Sequence, residues 1–198
     1  MFYKEILDRI DDWSDEKKDE FGKHVDNHKP QAMFIGCADA RVPVHLITGT
    51  DIGELFVYRN IANQTRQMDM GFSSALQYAV EVLGVEDIIV CGHQNCGGCG
   101  AALGPFVPDM VEAWIEPIRT LARLHEDELA SLGERERLDS FVEINAEEQL
   151  RSLATHPVVR HAWGRGQTLR LHAWVYQLSN GKVNQVGSVF GGEVVKAS

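Results

Sequence analysis

Asp87-Ile88-Ile89-Val90-Cys91-Gly92 is apolar almost throughout instead of alternating, which reads as a strand buried on both faces. Such strands belong to parallel sheets sandwiched between helices. Upstream, 70–83 carries Phe72, Leu76, Ala79, Val80 and Leu83 at helical spacing, and Gly84 marks its end. Further back, Ala32-Met33-Phe34-Ile35-Gly36 is a second short apolar run ending at Cys37. Residues 54–59 read as another strand, and Pro43 and Gly49 bracket a short helix. Downstream, a glycine-rich loop follows Gly92, then two helical stretches, 109–132 and 134–155. The alternating run 168–176 is a long strand, Ser179-Asn180-Gly181 a turn, and 182–186 a strand that pairs back as a hairpin. Strand–helix alternation predicts one α/β domain over 1–198: a central, mostly parallel sheet flanked by helices, with a C-terminal antiparallel edge strand. Ile6, Leu7, Ile10 and Trp13 make the opening an acidic helical arm, to about residue 27.

In open α/β sheets ligands bind at the carboxyl ends of strands. Two segments that carry chemistry lie there: Cys37-Ala38-Asp39-Ala40-Arg41 and His93-Gln94-Asn95-Cys96. Cys37, His93 and Cys96 offer two sulfurs and one ring nitrogen, a soft donor set suited to zinc with a fourth position left open. Zinc lowers the pKa of water in that position toward about 7, less far with two thiolates than with an all-histidine set. Asp39 is near enough to reach the metal or its water, and Arg41 can hold Asp39 in a bidentate pair. Paired, Asp39 would orient zinc-bound hydroxide; released, it would fill the open position.

Other readings of these residues are weaker. Cys96-Gly97-Gly98-Cys99 fits a C-x-x-C redox motif, which leaves Cys37, Asp39, Arg41 and His93 idle. A structural four-cysteine zinc site would need Cys91 from inside a strand. The glycines after Cys96 lack both the dinucleotide fingerprint and a Gly-Lys-Ser/Thr; they suit close packing against the metal loop.

The chain has 198 residues, a net charge of −10 and a pI of about 5.2. Acidity argues against nucleic acid or an anionic membrane as partner. The start shows no apolar run behind a basic end, so no secretory signal is read and a cytoplasmic setting is expected. Four cysteines then suit metal or free thiols better than disulfides.

These motifs make the chain resemble the β-class carbonic anhydrases, most of all their bacterial branch. C-x-D-x-R is followed by Arg59-Asn60-Ile61-Ala62-Asn63, by Gly92 to Gly98, by Glu143-Ile144-Asn145-Ala146-Glu147-Glu148-Gln149 and by His172-Ala173-Trp174-Val175-Tyr176. The resemblance implies zinc-dependent, reversible hydration of carbon dioxide to bicarbonate and a proton, with no organic cofactor. It implies one zinc per subunit on Cys37, His93 and Cys96, Asp39 as fourth ligand of a closed state, and Asp39–Arg41 as the gate. It also implies homodimers, paired into tetramers, with the N-terminal helix embracing the neighbour. A same-fold hydrolase of another small heterocumulene and a non-catalytic bicarbonate or zinc sensor are the alternatives. Ala40 stands where relatives usually carry serine. Phe34 stands at the tryptophan of a regulatory bicarbonate pocket whose arginine and tyrosine match Arg59 and Tyr176. His28 replaces a glutamine near the substrate, as a proton shuttle or a solvated loop residue. His24, His125, His156 and His161 read as surface or helical positions, and His172 alternates within its strand.

Overall fold

The computed structural model describes residues 2–23, 25–105 and 107–196. Its frame is a six-stranded sheet in the order β2-β1-β3-β4-β5-β6. Strands β1 (Ala32–Cys37), β2 (Leu55–Asn60), β3 (Asp87–His93) and β4 (Arg170–Tyr176) run parallel; β5 (Val183–Phe190) and β6 (Glu193–Lys196) are antiparallel. The apolar runs of β1 and β3 occupy the sheet centre, as residues without a polar face must. β4 alternates between buried and half-buried residues, since its neighbour β5 lies toward the edge.

Helices α4 (Met70–Gln77), α5 (Gly97–Leu103), α6 (Asp109–Leu124), α7 (Glu126–Ala130), α8 (Glu134–Thr155) and α9 (Pro157–Gly164) build the main core with the sheet. Phe72, Leu76, Ile115, Ile118, Phe141 and Leu153 fill it without exposure. A smaller cluster of Ala32, Phe34, Val44, Ile89 and Cys91 lies on the other sheet face, beside the short helix α3 (Val44–Thr48). The punctuation read from the sequence holds: Gly49 and Gly84 end their helices in the left-handed region, at φ 64° and 71°.

Several elements differ from expectation. The stretch 70–83 starts as α-helix, capped by Asp69, but widens to a π-helix at Tyr78–Leu83. The expected helix 109–132 breaks at His125 into α6 and α7. The glycine-rich loop is mostly helix α5, with Cys96 at its start. The antiparallel strand after the 177–182 turn runs to Phe190, and β6 pairs outside it.

The arm splits into α1 (Phe2–Glu16) and α2 (Lys18–Phe21), with Trp13 packed edge-on against Phe21 at 5.1 Å. No residue of α1 is buried, and Phe2, Tyr3, Ile6, Leu7, Ile10 and Trp13 stay exposed. No helix among the described residues is long and apolar enough to cross a membrane.

Candidate metal centre

Adjacent parallel strands β1 and β3 end at Cys37 and His93, and their pairing brings these two ends together. The chain leaves β3 through Asn95, held left-handed at φ 54°, and turns directly into α5 with Cys96 at its N-terminus. Strand ends and helix start converge, so one donor atom each from Cys37, His93 and Cys96 lies within 4.8 Å of the others, all three residues buried. The sulfurs are 4.0 Å apart. Two thiolates on a tetrahedral zinc, each about 2.3 Å from it, would stand about 3.8 Å apart.

His93 supplies the sharpest test of whether a metal fits. Its Nδ1 lies 3.0 Å from the Gln94 carbonyl, which can only accept, so Nδ1 carries the proton and Nε2 holds a free lone pair. Nε2 is buried and has no hydrogen-bond partner. An orphaned imidazole lone pair facing two thiols is costly in a core, and a soft dication satisfies all three groups. Without metal the thiols stay protonated. Cys37 is pushed up to about 12 by its contact with Cys96 and by burial. For Cys96 the Cys37 contact lowers the pKa, but Cys99 and burial outweigh it, again giving about 12.

Asp39 follows Cys37 on the loop after β1. Arg41 donates to its carboxylate through the backbone amide at 2.9 Å, Nε at 2.9 Å and Nη2 at 2.7 Å. These bonds, the side-chain ones first, hold Asp39 far below the usual carboxylate range. Asp39 Oδ2 is also 3.8 Å from His93 Nε2. The dyad is complete without any hydroxyl at position 40, where Ala40 is exposed. Arg41 Nη2 additionally donates to the Asn95 carbonyl at 3.1 Å, tying the Asp39–Arg41 pair to the loop between His93 and Cys96. A cleft of about 670 Å³, lined by Arg41, Gln94, Asn95 and Asp139, opens beside the pair.

Arg59 holds the dyad's loop: Nε donates to the Cys37 carbonyl at 2.8 Å and Nη2 to the Asp39 carbonyl at 2.6 Å. Phe34 is fully buried, with Tyr176 packed near it in the second cluster. His28 is exposed, its ring 6.2 Å from that of Phe56. Of the glycines after Cys96, only Gly98 is sterically required. A Cβ there would meet Ile61 Cγ2 at 2.8 Å and Ala62 Cβ at 3.0 Å, whereas Gly97 faces open space. His156 is buried, not a surface position: it caps α9 through Nδ1 and meets Ser73 Oγ at 3.2 Å. His24 lies outside the described residues.

A family model described as carbonic anhydrase matches residues 32–183. A carbonic anhydrase of Emericella nidulans is 39% identical over 173 residues, 87% of this chain and 76% of that one. One from Pseudomonas aeruginosa is 40% identical over 164 residues, 78% and 72% of the two chains. Among solved structures, a Coccomyxa β-carbonic anhydrase in complex with acetazolamide matches at TM-score 0.91 and 32% identity, covering 97% of this chain and 91% of that one. A β-carbonic anhydrase from Sordaria macrospora, described as tetrameric, matches at TM-score 0.89 and 28% identity, covering 95% and 98%.

Proposed function

The chain belongs to the β-class carbonic anhydrase family, and on that footing we propose that Cys37, His93 and Cys96 hold one zinc ion beside a gate made of Asp39 and Arg41. Members of the family are zinc lyases that hydrate carbon dioxide. The observation that carries the site reading is the buried, unpartnered Nε2 of His93 facing two thiols 4.0 Å apart.

When bound, zinc supplies the Lewis acidity that brings the pKa of a water within reach of neutral pH. The residues around it do the rest. Arg41 keeps Asp39 ionised, so Asp39 can only accept hydrogen bonds. A water between Asp39 and the ligand cluster must therefore donate to Asp39, and its remaining lone pair turns toward carbon dioxide. Oxygen bonds to carbon, a C=O pair moves onto oxygen, bicarbonate leaves, and one proton passes to solvent. Arg59 and the Asn95 carbonyl keep loop and gate in register during this exchange. Released from Arg41, Asp39 stands close enough to the ligand cluster to close the fourth position.

The bare apolar face of α1 supports assembly into a homodimer, and pairing of dimers into a tetramer. Four unpaired, buried cysteines suit a reducing compartment such as the cytoplasm. Proton release from carbon dioxide, followed at mildly alkaline pH on metal-counted protein, tests the reading. Rate enhancement that scales with zinc supports it. Stoichiometric zinc without enhancement overturns it in favour of a sensor, and turnover of carbon disulfide alone points to another heterocumulene.

A further inference from the structure

A second cleft, of about 280 Å³, lies between α6 and α8 on residues that the zinc reading does not use. Ile118 and Leu121 of α6 give it an apolar wall, with the exposed Leu124 beside them. Most of its polar groups are spent. Gln149 Oε1 accepts from the Thr65 amide at 2.8 Å, and Gln149 Nε2 donates to Asn145 Oδ1 at 3.0 Å. Ser152 Oγ donates to the Thr65 carbonyl at 3.0 Å.

Two groups are not. Gln64 is only 1% exposed and lines the cleft. Its Nε2 donates to the Trp114 carbonyl at 3.1 Å, which leaves its Oε1 buried and without a hydrogen-bond partner. Arg66 forms no ion pair among the described residues; its guanidinium lies over the Trp114 ring at 5.1 Å and reaches the same Trp114 carbonyl through Nη1 at 3.4 Å. One carbonyl thus gathers both side chains and sets an unused acceptor beside an unneutralised cation. A buried acceptor with no donor is costly, and a cavity with an apolar wall and a few convergent polar groups is the usual form of a small-molecule site.

These features define what would fit. A guanidinium with donors to spare takes a carboxylate. Oε1 can only accept, so the ligand must bring a donor. A hydroxyl serves better than an ammonium, which would stand desolvated beside the guanidinium. We propose that this cleft binds an α-hydroxy carboxylate with a short apolar side chain. The carboxylate lies on Arg66, the hydroxyl donates to Gln64 Oε1, and the side chain packs on Ile118 and Leu121. The site shares no residue with the zinc centre and stands or falls independently of it.

Titration calorimetry on the full chain tests this with three probes of one shape: leucic acid, which carries the hydroxyl; isocaproic acid, which lacks it; and leucine, which has an ammonium in its place. Leucic acid should bind once per chain, and the other two at least about tenfold more weakly, because a site built to accept from a hydroxyl rejects analogues without it. Arg66→Met should weaken leucic acid at least about tenfold. Gln64→Met should erase the preference for leucic over isocaproic acid. If Gln64→Met does not fold, the three probes on the parent and on Arg66→Met carry the test. No binding of leucic acid to the parent, equal binding of all three probes, or binding that Arg66→Met leaves unchanged, as for a carboxylate resting on a metal, overturns the proposal.

Discussion

Asp39 Oδ2 stands 3.8 Å from His93 Nε2 while its carboxylate remains bound to Arg41. One group therefore faces the ligand cluster and the guanidinium at once. Asp39→Asn leaves Cys37, His93 and Cys96 intact but replaces an acceptor-only group with an amide that Arg41 cannot hold bidentately. Zinc content should stay near one per chain, and carbon dioxide hydration should fall by at least about a hundredfold. Full activity in that variant would show that the gate is misassigned.

Cys96→Ala removes one of the two sulfurs of the proposed zinc site. Zinc should drop well below one per chain after dialysis against a chelator, with the fold retained by circular dichroism. Stoichiometric zinc would contradict the ligand set.

With both thiols near 12 in the metal-free protein, zinc uptake must displace their protons. At neutral pH about two protons should be released per zinc, and apparent affinity should rise with pH because fewer protons compete. Calorimetry in buffers of different ionisation enthalpy counts them. Release near zero would mean that the sulfurs are not the donors.

The glycines beside Cys96 should separate cleanly. Gly98→Ala places a methyl within 2.8 Å of Ile61 Cγ2 and should cost about 1–3 kcal/mol in denaturant unfolding. Gly97→Ala meets nothing and adds helix propensity, so stability should hold or rise by up to about 1 kcal/mol. Equal losses would refute the packing account.

Burial lowers the pKa of His156 below its ordinary value. The unfolded chain then binds a proton that the folded one refuses, so stability falls as pH drops below about 6.5. The variant His156→Asn would keep an acceptor for the Val158 amide without that proton. Its acid-side loss of Tm should therefore be shallower than the parent's. Parallel pH profiles would rule the histidine out as the source of that loss.

Much of this architecture was legible because central strands announce themselves. β1 is apolar throughout and β3 is apolar between Asp87 and His93, and the residues closing them are the chemically distinctive ones. What escaped had local causes. α5 hid behind Gly97, Gly98 and Gly100, and α9 behind an imidazole acting as its cap. β6 is four residues after a glycine pair, too short for a pattern. Asn145 and Gln149 read as a motif on a helix; nothing in hydropathy says that two amides one turn apart sit in the core, since their burial depends on a turn more than eighty residues away. The resemblance puts Arg59 in a regulatory pocket; its grip on the Cys37 and Asp39 carbonyls depends on strand pairing that no local pattern encodes.

Every thiol in this chain is shielded: Cys37, Cys91, Cys96 and Cys99 are all buried. A bulky colorimetric thiol reagent would thus find nothing to label in the native state, and colour development becomes a clock for opening. Cys91 lies inside β3, outside the proposed metal site, with burial pushing its thiol up to about 12. Its labelling times the rupture of the central sheet, whereas earlier labelling of the others times the loosening of the strand ends.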